Sequence, residues 1–320
     1  LTSSNVLEKN DAYLIGVDVG GTNLRVGVIQ QCNVVWAERI HADFSAFCRT
    51  HAGEAALDSI LDTLARAIRE AQTRYPAVCA AGIGFPGFID PMTRRIIQSP
   101  NLPGLTDVDL LTPLSKTLNL PVGIENDALA AAFGEYVVSG QEHRESLIYL
   151  GLGTGVGGGL ILEGRPYPGT HGVAMEVGHI IIESDGRPCG CGNRGCMEQY
   201  ASASGVALTY AELAGGWQGM DSSLVAALAR KGDTHASRAF ERAGEALAQG
   251  LATILKVVDV SRVVIGGGMS QSWDLMHAAF RDRLEADLIP ALRGRIHIDV
   301  SRSADQAGMI GAAMLAAPRA

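Results

Sequence analysis

The sequence predicts an α/β protein built from two similar halves, and three observations carry that prediction. The first is a pair of apolar–glycine–apolar patterns, YLIGVDVGGTNLRVGVI at 13–29 and LIYLGLGTGVGGGLILEG at 147–164. The second is that placing Gly153 under Gly20 superposes the two patterns, the mark of an internal duplication. The third is that strand patterns precede helical ones in each half.

The first pattern reads as two strands around a glycine turn, Gly20-Gly21. Residues 56–72 then place Ile60, Leu61, Leu64 and Ile68 on one helical face. VCAAGIGFPGFID, at 78–90, is a buried strand broken by Pro86-Gly87. LPVGIENDALAAAFGEYVV, at 120–138, is a strand running into an alanine-rich helix, with Asn126-Asp127 at the junction. The second hairpin pattern follows. A helical pattern then covers 243–258, and RVVIGGGMSQS at 262–272 is a strand opening into three glycines. The tail, 305–317, predicts a small-residue helix capped at its start by Asp305.

With 320 residues the chain can build one large domain or two ordinary ones. Hydrophobic residues make up 47% and charged residues 19%, a globular composition. A net charge of −8 argues against nucleic acid or an anionic membrane as the main partner. The first twelve residues lack the apolar core of a signal peptide, and no window reaches the length of a membrane span, so a cytoplasmic setting is expected.

Three segments carry chemistry. Asp18-Val19-Gly20-Gly21-Thr22-Asn23 puts a carboxylate before a glycine turn and a hydroxyl after it. Glycines let backbone N–H groups face an anion, and Asp18 could hold a hydrated magnesium ion. Neither glycine turn is a Walker or dinucleotide sequence. The second turn, with Thr154 and Gly155, and the strand end Gly266-Gly267-Gly268 repeat the design, and together they point to nucleotide phosphates. Asp127 stands where a strand yields to a helix, which suits either a helix cap or a general base. His179, Cys189, Cys191 and Cys196 have the spacing H-x9-C-x-C-x4-C. One nitrogen and three sulfurs suit tetrahedral zinc, and a four-ligand site is closed, hence structural. Cys-x-Cys is not the usual redox spacing, and the alternative is reduced cysteines in a loop.

DVGGTN, GFPGFID, SPNLPG, ENDA, GTGVGGG, EVGH, CGCGNRGCME and GGG occur in that order between Asp18 and Gly268. In this the chain resembles the repressor–open-reading-frame–kinase (ROK) family of sugar kinases. The resemblance implies a duplicated actin-like, ribonuclease-H-like fold whose two lobes enclose a cleft for ATP and sugar. It implies a small lobe over 1–124, with the helix at about 305–320 packed back on it, and a large lobe over 125–304 bearing the zinc loop. ATP and magnesium would be met by Asp18, Gly20, Gly21, Thr22, Asn23, Thr154, Gly155, Gly266, Gly267 and Gly268.

In this family ENDA is the catalytic segment, which makes Asp127 the expected base. Sugar contacts are expected from Gly87, Asn101, Asn126, Asp127, Glu176, His179 and Glu198. His179 would join metal and substrate, since one ring nitrogen can ligate while the other donates.

The expected activity is ATP-dependent phosphorylation of a hexose by a homodimer, glucose to glucose 6-phosphate first. Allose, fructose, mannose, N-acetylglucosamine and N-acetylmannosamine are the alternatives, because one hydroxyl is read by a few side chains. A sugar-responsive regulator is the reading from a second class. That branch carries an N-terminal helix-turn-helix, whereas twelve residues precede the first strand here. A sugar-binding pseudokinase is a third, and Asp18, Thr22, Asp127 and Thr154 speak against it.

Overall fold

The structure, a computed structural model, describes residues 12–51, 53–140, 145–216, 219–303 and 305–318. The first eleven residues of the expected small lobe and the last two of the expected terminal helix lie outside the described residues.

Strands β1 (Tyr13–Val19), β2 (Asn23–Gln30) and β3 (Asn33–His41) form an antiparallel meander. α1 (Phe44–Thr50) and α2 (Gly53–Arg74) follow. α2 buries the stripe Ala56, Ile60, Leu64, Ala67, Ile68 and Ala71, recurring every three or four residues. β4 (Val78–Phe85) returns parallel to β1. The chain then builds a small antiparallel sheet, β5 (Phe88–Ile89), β6 (Ile96–Gln98) and β7 (Thr106–Val108). α3 (Leu111–Leu118), β8 (Val122–Asn126) and α4 (Asp127–Val138) complete this half. The sheet order is β3-β2-β1-β4-β8, with β8 parallel to β4.

The second half repeats the plan. β9 (Leu147–Leu152), β10 (Val156–Leu162) and β11 (Arg165–Pro166) precede α5 (Glu198–Ala201), α6 (Ala203–Leu213), α7 (Ser222–Arg230) and α8 (Thr234–Val258). β12 (Arg262–Gly266), α9 (Trp273–Asp287), β13 (His297–Val300) and α10 (Ala307–Leu315) follow. The second sheet runs β11-β10-β9-β12-β13, with β12 parallel to both neighbours. In each half a hairpin is extended by two parallel strands, the duplicated α/β topology that the glycine patterns predict.

The chain forms two compact units. One holds the described residues up to Glu145, Gly159–Ala174 and the tail from Gln306; the other holds Ser146–Gly158 and Met175–Asp305. α10 belongs to the first because it lies on β1, β4 and α4. The approach is so close that a Cβ at Gly82 would overlap the Ala312 carbonyl. This is why the tail is written in glycine and alanine.

Two expectations are corrected. α10 starts at Ala307, two residues later than expected, and its N-cap is Gln306, not Asp305. From Ala307 to Ala313 every residue is buried, so the packed small-residue face begins where the helix does. α8 starts at Thr234 and not at 243, capped by Asp233, whose Oδ1 accepts the Ala236 N–H at 2.9 Å. Charged residues in its first half hide the apolar stripe. No helix among the described residues is long and apolar enough to cross a membrane.

Candidate active site

In the first unit Asp18, Gly84 and Glu125 are register partners on the parallel strands β1, β4 and β8. The residues that follow therefore open on one carboxyl edge, where α/β sheets collect ligands. Asp18 Oδ2 lies 3.1 Å from an Arg25 guanidinium nitrogen. The glycine turn beyond it is tied down by its carbonyls. Gly21 O accepts the Ser45 N–H at 3.0 Å, and Thr22 O accepts the Ala42 N–H at 3.1 Å. Gly20 N–H donates to Asn23 O at 2.8 Å, and the Asn23 amide donates to Thr22 Oγ1 at 2.9 Å. The Thr22 residue itself is exposed.

Asn126, not Asp127, is the cap of α4. Its Oδ1 accepts the Leu129 N–H at 3.0 Å, and its Nδ2 donates to Gly87 O at 3.1 Å. Asp127 is the first helical residue, and its Oδ1 accepts the Ala128 N–H at 2.9 Å. The capping alternative that the sequence left open for Asp127 is thus filled by its neighbour. Gly87 is crowded by the end of β6, since a Cβ there would stand 2.8 Å from Gln98 O. Asn101 is exposed, and its carbonyl accepts from Ser45 Oγ at 3.2 Å.

Sequence reasoning missed Glu125 and Arg94. Glu125 is 6% exposed. Its Oε1 accepts the Asn126 N–H at 3.0 Å, and its Oε2 pairs with the Arg94 guanidinium at 2.9 Å. Arg94 adopts a left-handed conformation, φ 59°. The sequence carried Glu125 as the first letter of ENDA, a glutamate near the end of an apolar strand, and gave no sign of Arg94 as its partner.

In the second unit β9 and β12 are parallel, with Gly151 opposite Gly266. The turn after β9 closes through Gly153 N–H to Gly155 O at 2.9 Å. Gly267, at φ 78°, packs against the Leu152 backbone. Gly153, Thr154 and Gly268 share a cavity of about 390 Å³ with Ser222 and Ser223 at the start of α7, and with Arg230 and Gln271. The Arg230 guanidinium forks onto Asp274, at 2.7 and 3.2 Å, and donates to Gln271 O at 3.1 Å. The residues from α7 and Gln271 carry no sequence signal of their own; the fold alone brings them to the glycines.

His179, Cys189, Cys191 and Cys196 converge, with ligand atoms all within 4.8 Å of one another. Cys189 Sγ is 3.6 Å from His179 Nδ1, and Cys191 Sγ is 3.7 Å from Cys196 Sγ. The loop closes on itself through Cys189 N–H to Asn193 O at 2.9 Å and Gly195 N–H to Arg187 O at 2.8 Å. Gly192 and Gly195 take φ values of 95° and 73°, which side chains resist. Burial, then the neighbouring thiols, push the Cys196 thiol up to about 12.

Arg187 anchors the loop to the helices behind it. Its guanidinium lies 4.6 Å over the Tyr200 ring and donates to Gln199 O at 2.6 Å and to Thr209 Oγ1 at 2.9 Å. Glu176 Oε2 is 3.8 Å from His179 Nε2. Partial burial holds the Glu176 carboxyl above its usual range; His179 opposes this and Glu198 adds to it. Glu198, the first residue of α5, accepts the Val156 N–H at 3.0 Å. The two units thus assemble two groups of expected residues. Asp18, the first glycine turn, Gly87, Asn126 and Asp127 make one; Glu176, His179, Glu198, the cysteines and the second turn make the other.

Residues 14–319 match the model of the ROK family. A glucokinase of Thermotoga maritima is 30% identical over 315 residues, covering 94% of this chain and 96% of the relative. An N-acetyl-D-glucosamine kinase of Salmonella typhimurium is 33% identical over 315 residues, covering 94% and 98%. The crystal structure of a ROK family glucokinase from Streptomyces griseus, in complex with glucose and AMPPNP, matches with a TM-score of 0.79 at 30% identity. That match covers 95% of this chain and 98% of the other. The actin-like α/β fold expected from the sequence is the fold of this chain.

Proposed function

This chain belongs to the ROK family, as a sugar kinase of it, and from that premise we propose that it transfers the γ-phosphoryl group of ATP to a hexose, glucose first. The observation that carries the proposal is the junction of β8 and α4. Asn126 caps the helix, and Asp127 stands at the carboxyl edge of the sheet as the first helical residue. Phosphoryl transfer needs alignment, charge neutralisation and an acceptor for the hydroxyl proton. Asp127 takes that proton as the hydroxyl oxygen bonds to the γ-phosphorus and the bond to ADP breaks.

The two glycine turns suit the phosphates, and the 390 Å³ cavity beside Thr154 suits the adenosine end. Asp18 would hold a hydrated magnesium ion, which needs only one or two carboxylates. Glu176, His179 and Glu198, with Asn101, Asn126 and Gly87, are the residues proposed to meet sugar hydroxyls.

The cysteine–histidine cluster fits zinc. Bonds of about 2.3 Å to sulfur and about 2.0 Å to nitrogen put tetrahedral ligands about 3.8 Å apart for two sulfurs and about 3.6 Å apart for nitrogen and sulfur. Two of the six separations present, Cys191 Sγ to Cys196 Sγ and Cys189 Sγ to His179 Nδ1, are 3.7 and 3.6 Å, and all four ligand atoms lie within 4.8 Å of one another. The ion would supply no reactive group there; it would hold the loop that carries Glu176 and Glu198 around it.

Glucose has the support of the Thermotoga maritima relative and the Streptomyces griseus structure, and N-acetylglucosamine that of the Salmonella relative. A coupled assay of ADP release with ATP and glucose, mannose, fructose, allose, N-acetylglucosamine or N-acetylmannosamine tests both readings. A kcat/KM highest for glucose supports the first; turnover of none of the six sinks the kinase proposal.

A further inference from the structure

Glu198 is expected to serve the acceptor, yet half of its carboxylate is engaged on the nucleotide turn. Its Oε2 accepts the Val156 N–H at 3.0 Å. A Cβ on Gly155 would overlap that same oxygen, so the turn needs glycine there for the carboxylate to lie against its backbone. The segment after Glu198 grips the turn twice more. Ala203 N–H donates to Gly153 O at 2.9 Å, and Ser204 Oγ donates to Thr154 O at 3.1 Å. On its other side Glu198 follows Cys196 by two residues, and Met197 N–H donates to Ile180 O at 2.9 Å, beside His179. A continuous path therefore runs from the cysteine–histidine cluster to the glycine turn.

We propose that Glu198 is a positioning residue for the nucleotide as well as a ligand for the sugar. Oε2 fixes the backbone of the 153–156 turn and leaves Oε1 for an acceptor hydroxyl. Through this residue the cysteine–histidine cluster sets the affinity for the phosphoryl donor, with no sugar required. The inference rests on the kinase reading and adds to it, since a glutamate that only bound sugar would leave nucleotide affinity untouched.

The test is calorimetric titration of the metal-loaded protein with AMPPNP in the absence of sugar, paired with hydrogen exchange of the ligand-free protein. Loss of one charge-assisted hydrogen bond predicts roughly tenfold weaker AMPPNP binding for Glu198→Ala. The Val156 amide should also exchange faster. Glu198→Gln keeps an oxygen for that amide, so its AMPPNP affinity should stay within roughly threefold of wild type while its sugar affinity falls. Stripping the metal should shift AMPPNP affinity in the same direction as Glu198→Ala. If Glu198→Ala fails to fold, Glu198→Asp, whose shorter side chain draws the carboxylate away from the Val156 N–H, should still weaken AMPPNP by roughly threefold. Wild-type AMPPNP affinity and wild-type Val156 exchange in Glu198→Ala, or in Glu198→Asp where the first does not fold, would overturn the proposal. Wild-type protein that binds no AMPPNP would instead overturn the kinase reading, and the donor role of Glu198 with it.

Discussion

His179 faces Glu176 with one ring nitrogen and Cys189 with the other: Nε2 is 3.8 Å from the carboxylate, and Nδ1 is 3.6 Å from the sulfur. The imidazole thus turns Nδ1 toward the cysteines and Nε2 toward Glu176, the arrangement that the proposed zinc would need. Removal of the proposed zinc should release this ring and the carboxylate beside it. We expect the sugar KM to rise roughly tenfold or more, with the melting temperature falling at the same time. The exposed ligand Cys191, changed to Ser, should give a milder form of both effects. Full activity and unchanged melting in protein shown by elemental analysis to be metal-free would remove the scaffold role.

Asp127→Asn should lower kcat by about 10²–10⁴ with the fold intact, because the proposed general base is lost while the Asn126 cap remains. Circular dichroism and steady-state kinetics suffice. The base would have to be sought elsewhere if turnover stayed near wild type.

Arg94 is the cation that pairs with buried Glu125, next to the junction of β8 and α4. Arg94→Ala should cost about 1–2 kcal/mol, less than the loss of a fully buried pair because the Arg94 side chain is 43% exposed. The same change should raise the sugar KM, since Glu125 holds the Asn126 backbone and Asn126 holds Gly87. Urea unfolding and sugar titration measure the two effects, and Glu125→Gln in the Arg94→Ala background should restore part of the stability.

Arg187→Ala should destabilise the protein by about 2–3 kcal/mol, as it strips a nearly buried guanidinium from Tyr200, Thr209 and the Gln199 carbonyl. Lysine should rescue little, because it cannot fork or stack in the same way. Thermal melts of both variants decide this.

Asp274 is held below the usual carboxylate range, first by its hydrogen bond from Arg230. A depressed folded value means the pairing stabilises the protein fully above the ordinary aspartate range and is lost as pH falls through the lower folded value. Wild type should therefore melt higher than Asp274→Asn at neutral pH, and the two should converge in acid. A difference that persisted unchanged into strong acid would show that the effect is not ionic.

Much of this site is legible along the chain, because its parts are local. The turn at Gly20-Gly21, the Asn126-Asp127 junction and the four metal-type ligands each lie within a short stretch. There, spacing and residue chemistry restrict what the backbone can do. The helix 234–258 was only half legible, since salt-bridging residues such as Arg238 and Glu245 dilute its apolar stripe. Glycine and alanine in the tail announced a tightly packed helix but not the strands it would meet.

The amino-acid sequence by itself determined the duplicated α/β plan, the glycine turns and the identity of the residues able to do chemistry. Tertiary structure alone decided which of them share a partner: Arg94 with Glu125, Arg187 with Tyr200, Glu198 with Val156, and α7 with the second turn. The physical reason is range. Backbone preference and periodicity act over a few residues, whereas an ion pair or a cavity wall forms only where the folded chain brings distant segments within a few ångströms.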